Sequence, residues 1–204
     1  MQSSASLTIS DLWIERADKD LCKGLSFAAQ SGEVVRILGD NGAGKSSLLK
    51  VIAGMLRPLE GKIEYSGHDV TVERHLLQQD LLYIGHSVGV KSLLSVEENL
   101  RWYCPDVTSE GLLSVLILLE LSDYKGALVK QLSAGQARRV ALARLWLTNK
   151  VLWLLDEPFA SLDTSGVELL EKRIQQHILS GGLVILTTHQ DLRVLVSRDV
   201  ALLS

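Results

Sequence analysis

The chain has 204 residues, a formal net charge of −3, 47% hydrophobic and 22% charged residues, which is enough for one well-packed domain with room for a small inserted lobe. The mild acidity and the lack of a basic block argue against a nucleic-acid partner, and Cys22 and Cys104, in no C-x-x-C pattern, read as two free buried thiols in a reducing compartment. The longest apolar stretch, Leu112–Leu119, is broken by Ser114 and too short to cross a bilayer, and Met1–Ser6 lacks the basic and apolar segments of a signal peptide, so a membrane role requires docking onto other subunits.

Leu7–Ile14 and Leu25–Ala28 read as strands, closed by a turn at Ser31-Gly32, and Val34–Leu38 reads as a third. Ser47–Ala53 reads as a helix that Gly54 and Pro58 end. Ile63–Tyr65 and Leu81–Ile84 are short strands; Val96–Tyr103 and Ser109–Leu119 are helices separated by Pro105. Ser133 opens a helix whose Ala137, Val140, Ala141 and Leu145 form one apolar stripe. Val151–Leu155 is a continuous apolar run, as a strand covered on both faces requires. Ser165–Leu179 is amphipathic, with Val167, Leu170, Ile174 and Ile178 on one face and Gly181-Gly182 after it. Leu183–Leu186 and Val200–Leu203 supply the last strands. The alternation predicts an α/β fold with a mostly parallel sheet, a core of about 1–85 and 151–204, and a helical lobe of about 86–150 inserted in it.

Gly39-Asp40-Asn41-Gly42-Ala43-Gly44-Lys45-Ser46 fits G-x-x-x-x-G-K-S and sits between a predicted strand and a predicted helix. Glycines let successive backbone N–H groups curl inward around phosphate oxygens, and the helix N-terminus adds partial positive charge. Lys45 would reach the β- and γ-phosphates and the Ser46 hydroxyl would hold Mg²⁺, with Ser47 following at the start of the helix. Val151–Leu155 delivers Asp156-Glu157 at its C-terminal end, about 110 residues later. There Asp156 would hold Mg²⁺ and Glu157 would polarise an attacking water. Leu132-Ser133-Ala134-Gly135-Gln136 reads either as an ordinary helix cap or as a second anion cradle, which a second copy of the chain would use. Thr187-Thr188-His189 ends the next strand, where His189 could bond the γ-phosphate and steady the water. His68, His75 and His177 read as surface or loop residues.

Together these motifs resemble the ATP-binding subunits of ABC transporters over nearly the whole chain. Gly39–Ser46 matches the Walker A loop, Leu132–Gln136 the signature motif with Ala134 where Gly is commoner, and Asp156 and Glu157 the Walker B Asp and catalytic Glu. Ser161-Leu162-Asp163 resembles the D-loop and His189 the switch histidine. The resemblance implies a phosphate-loop ATPase core of the ABC type, with an N-terminal antiparallel β portion and an inserted helical lobe. It also implies a homodimer closing around two ATP molecules, with Ser133 and Gly135 contacting the ATP held on the partner's Lys45.

Two positions depart from the family. Where a Gln usually touches Mg²⁺ and relays to the membrane subunits, this chain has His86, whose imidazole can still bond a metal-bound water. Where an aromatic ring usually stacks on adenine, counting back about 29 residues from Lys45 gives Arg16, whose guanidinium plane can stack on a base, with Trp13 nearby. Gly85–Lys91, Glu98-Asn99-Leu100, Arg138–Leu147, Asp156–Phe159 and Thr187–Gln190 resemble the haem-exporter ATP-binding subunits of cytochrome c maturation, the CcmA type. That implies membrane subunits of a haem-handling complex, a place on the cytoplasmic face of the bacterial inner membrane, and ATP-driven haem delivery or release of a loaded haem chaperone. No haem-binding motif is present in the chain itself. A transporter for another substrate remains open, as does a soluble ABC ATPase, which usually carries two cassettes or a coiled-coil insertion.

Overall fold

A computed structural model describes residues 5–16, 19–87, 89–190, 192 and 195–202. The chain divides into two compact units: Met1–His86 with Lys150–Pro158 and Ile174–Ser204, and Ser87–Asn149 with Phe159–Arg173. The second unit therefore takes in Phe159–Arg173 in addition to the helical block read from the sequence.

The first unit holds two sheets. Strands β1 (Ser6–Arg16), β2 (Lys19–Gln30), β4 (Glu60–Tyr65) and β5 (His68–Asp69) form an antiparallel sheet in the order β2-β1-β4-β5. Strands β3 (Val34–Leu38), β6 (Leu81–Ile84), β7 (Leu152–Asp156), β8 (Leu183–Thr187) and β9 (Arg198–Ala201) form a parallel sheet in the order β6-β7-β8-β3-β9. Every residue of β7 and β8 is buried, which explains their unbroken apolar runs: both are central strands with neighbours on each side. Strand β9 is at the edge and mostly exposed. Helix α1 (Lys45–Ile52) buries Leu48, Leu49, Val51 and Ile52 in one core with Ile37 and Val35 of β3, Leu152 and Leu154 of β7, and Leu7, Ile9 and Leu12 of β1.

The second unit is helical. Helices α3 (Val96–Tyr103), α4 (Ser109–Leu118) and α5 (Ala134–Leu147) bury Val96, Leu100, Leu112, Leu116, Val140 and Ala143 against one another. Each helix starts on a side-chain cap: Ser95, Thr108 and Ser133 accept the backbone N–H of Glu98, Gly111 and Gln136. In α3 and α5 the third residue reaches back, completing a capping box. Helix α6 (Thr164–Leu179) gives its first ten residues to this unit and its last turns to the other.

Several elements differ from the sequence reading. β1 and β2 run longer than expected, because β1 carries register shifts on both of its partners around Asp11 (φ +49°), which break the alternation that marks a strand. Helix α2 (Arg74–Asp80) escaped notice because it buries only Leu77 and shows no apolar stripe. Helix α1 begins at Lys45, two residues before the expected start. His177 is not a surface or loop residue. It is buried in the last turn of α6, its ring stacked 3.5 Å from the Trp153 ring, with Nε2 2.9 Å from the Val151 carbonyl oxygen. The buried face of α6 runs through Leu170, Glu171, Ile174 and His177, turned from the stripe drawn through Val167 and Ile178.

Candidate functional site

The loop after β3 carries the first set of residues. Gly42 (φ +84°) and Gly44 (φ +95°) take left-handed backbone that an L side chain resists, and Gly44 is the N-cap residue just before α1. No side chain caps α1 and no acidic residue stands in its first turn, so the backbone N–H groups of that turn face the loop without an internal anion. Asp40, Asn41 and Gly42 are exposed; Gly39, Ala43, Gly44 and Ser46 are half-buried; Ser47 is buried. Lys45 is 8% exposed. Its ammonium folds back over the loop, donating to the Gly39 carbonyl at 2.5 Å and the Asp40 carbonyl at 3.1 Å.

The second set comes from β7 and β8. In the parallel sheet β8 lies between β7 and β3, so all three C-terminal ends open at one edge. Asp156 closes β7 and is 1% exposed. Glu157 follows with φ +48°, a conformation that costs a non-glycine residue about 1–3 kcal/mol and that clusters at functional sites. The Thr187 hydroxyl, fully buried at the end of β8, donates to Asp156 Oδ1 at 2.8 Å and accepts the Glu157 backbone N–H at 2.9 Å. Two residues on, His189 brings Nε2 to 3.2 Å from the Lys45 ammonium and 3.6 Å from Glu157 Oε1. The fold thus gathers Lys45, Glu157 and His189, which are 144 residues apart at the extremes. The Tyr83 hydroxyl on β6 reports the local charge: burial, with the negative charge of Asp156, pushes its pKa up to about 12.

The other candidates stand on other elements. His86 is exposed just after β6. Arg16 is exposed at the end of β1, and the Trp13 indole is engaged locally, donating to Asp20 Oδ1 at 2.6 Å with the Lys23 ammonium 3.9 Å over its ring. Ser133 and Gly135 belong to the second unit, at the start of α5. A Cβ on Gly135 would sit 3.1 Å from the Ser161 carbonyl, so the glycine admits the 160–163 segment to this helix start. Asp163 in that segment is fixed by the Gly166 N–H and a two-pronged contact with Arg139 at 3.0 and 3.1 Å, which hold its carboxyl below the usual carboxylate range. The sequence names Thr187 and Arg139 only within longer motifs and gives neither a role of its own. For Thr187 the signal was present: a hydroxyl ending an otherwise apolar buried strand needs a partner.

This geometry combines a backbone anion cradle, a lysine aimed at it and a carboxylate pair at the same sheet edge, the equipment of nucleotide hydrolysis. A sequence profile of the ABC transporter family matches residues 22–160. The chain belongs to the ABC transporter family. As an ABC ATPase it binds and hydrolyses ATP, and the hydrolysis is coupled to transport. The cytochrome c biogenesis ATP-binding export protein CcmA of Escherichia coli O157:H7 is 46% identical over 94% of this chain and 93% of its own length. The protein of the same name from Tatumella citrea is 47% identical over 91% of this chain and 89% of its own. Among solved structures, an ABC transporter ATP-binding protein from Pyrococcus furiosus superposes with a TM-score of 0.83 at 28% identity, covering 97% of each chain. No helix among the described residues is long and apolar enough to cross a membrane.

Proposed function

We propose that the chain is the ATP-hydrolysing subunit of a haem-handling exporter in cytochrome c biogenesis. The observation that carries this is its 46% identity, over 94% of its length, to a protein named as an ATP-binding export protein of cytochrome c biogenesis. In this reading it sits on the cytoplasmic face of the bacterial inner membrane, held by integral membrane subunits, and it contacts no nucleic acid. Two copies close around two ATP molecules, each offering Ser133 and Gly135 to the nucleotide on the other's Lys45. Their closure drives haem delivery or releases a loaded chaperone.

At the site, the loop N–H groups of Gly39–Ser46, with Ser47 at the start of α1, cradle the phosphates. The Lys45 ammonium leaves the Gly39 and Asp40 carbonyls for the phosphate oxygens, exchanging neutral acceptors for charged ones. The Ser46 hydroxyl and the buried Asp156 carboxylate are the hard oxygen donors that suit Mg²⁺, and one carboxylate, a hydroxyl and substrate phosphates are its usual company. Bound there, Mg²⁺ would neutralise charge on the transferred phosphoryl group. Glu157 orients and deprotonates the attacking water, and His189, held between Lys45 and Glu157, supports the γ-phosphate. His86 takes the relay position toward the membrane subunits. Arg16 is the candidate for stacking on the base, and its exposure is compatible with that.

The test is Glu157→Gln alongside Lys45→Ala, each purified from detergent-solubilised membranes with whatever accompanies it. Glu157→Gln should bind ATP normally and hydrolyse it at least about 100-fold more slowly; Lys45→Ala should lose nucleotide affinity itself. Normal hydrolysis by Glu157→Gln sinks the catalytic assignment. Co-purifying membrane proteins without haem chemistry sink the haem assignment and favour another cargo.

A further inference from the structure

We infer that Thr187 is a positioning residue that sets both carboxylates of the site through a single hydroxyl. The inference rests on the roles proposed above for Asp156 and Glu157. Thr187 stands opposite Asp156 in the parallel pairing of β7 and β8. The direction of its two bonds is forced by the partners. A backbone N–H can only donate, so the hydroxyl oxygen accepts from Glu157; a carboxylate accepts, so the hydroxyl proton goes to Asp156 Oδ1. One buried oxygen therefore ties the Asp156 carboxylate to the backbone of Glu157, at the residue where the chain turns through φ +48°.

The consequence is geometric. If the Glu157 N–H loses its acceptor, the left-handed turn at this residue loses a tie, and the Glu157 side chain that leaves it moves relative to His189 and Lys45. If Asp156 Oδ1 loses its donor, a carboxylate that is 1% exposed loses a bond that water cannot replace. Valine has the shape of threonine and can make neither bond. Serine can make both. The other buried residues of β8, Leu183–Leu186, are apolar, so at this depth in the strand the hydroxyl has no packing advantage of its own.

The test compares Thr187→Val, Thr187→Ser and Glu157→Gln in the assembly formed with the membrane partners. It reads ATP affinity, single-turnover hydrolysis and the Mg²⁺ concentration giving half-maximal rate. Thr187→Val should bind ATP within about twofold of the unaltered protein, hydrolyse it about 10- to 100-fold more slowly, and need several-fold more Mg²⁺. Thr187→Ser should restore both the rate and the Mg²⁺ dependence to within about threefold. Unchanged rate and Mg²⁺ dependence in Thr187→Val overturns the inference, as does a serine variant as impaired as the valine one. Should Thr187→Val fail to fold, Thr187→Ala replaces it with the same expectations. If Glu157→Gln hydrolyses ATP normally, the proposed role of Glu157 fails instead, whatever Thr187 does.

Discussion

Gly44 offers a sharp test of how tightly the phosphate loop is built. Its φ of +95° costs an alanine about 1–2 kcal/mol relative to right-handed backbone. Gly42, at φ +84°, carries the same strain, but a Cβ there would meet nothing within 4 Å, whereas a Cβ on Gly44 would lie 2.7 Å from Leu21 Cβ. That atom is bonded directly to the β2 backbone, so no side-chain rotation relieves the contact. Overpacking of this kind adds about 1–3 kcal/mol. Gly42→Ala should therefore lose about 1–2 kcal/mol and Gly44→Ala about 2–5 kcal/mol. At roughly 2–4 °C per kcal/mol for a chain of this size, the two variants should melt about 2–12 °C apart. Thermal unfolding followed by circular dichroism without nucleotide reads this directly, since bound nucleotide shifts the midpoint by itself. Adding Leu21→Ala to Gly44→Ala should not rescue it, because alanine keeps the offending Cβ. Equal midpoints for Gly42→Ala and Gly44→Ala, or full rescue by Leu21→Ala, would refute the reasoning.

Three further expectations follow from the geometry. Arg36 grips Asp199 across β3 and β9 with two bonds of 2.8 and 2.9 Å and holds its carboxyl below the usual carboxylate range. The folded pKa is depressed, so the pair's contribution is complete above the unfolded carboxylate value and vanishes as pH falls through the folded one. Since Asp199 is 41% exposed, Asp199→Asn should cost at most about 1 kcal/mol at pH 7, and urea midpoints for the two proteins should converge as pH falls below the usual carboxylate range. Gly182→Ala would put a Cβ 2.2 Å from His177 Nε2, whose ring cannot retreat because Trp153 backs it; a loss of about 1–3 kcal/mol in urea unfolding is expected, and none if the stack is loose. Ser133→Ala removes the cap of α5 and should cost about 1 kcal/mol in urea unfolding, with Ser133→Asp restoring most of it.

Much of this architecture is legible in the residues themselves, and the illegible parts share a cause. Val34–Leu38, Leu81–Ile84 and Val96–Tyr103 have the bounds read from the sequence, because apolar content and capping residues mark both ends. Helix α2 and strand β5 bury too little to leave a pattern. His177 was misplaced for the opposite reason: it lies three residues after Ile174 and seven after Leu170, on their face of α6, but an imidazole does not announce burial as a leucine does. At the site, Lys45, Asp156 and Glu157 were legible through spacing from a glycine loop and an apolar strand. The link through Thr187 was not, because it depends on β8 lying between β7 and β3 and on the register that sets Asp156 opposite Thr187. Strand order and register are tertiary facts, and a hydroxyl at the end of a strand does not say which strand it will face.

The placement of β8 also bears on biosynthesis. The phosphate loop is translated early and Glu157 more than a hundred residues later, yet β8, which lies between β3 and β7, comes later still. Until Leu183–Thr187 has been synthesised and has paired with both neighbours, β3 and β7 are not joined in one sheet. Pairings this distant in sequence form slowly, so the parallel sheet closes around β8 late in folding.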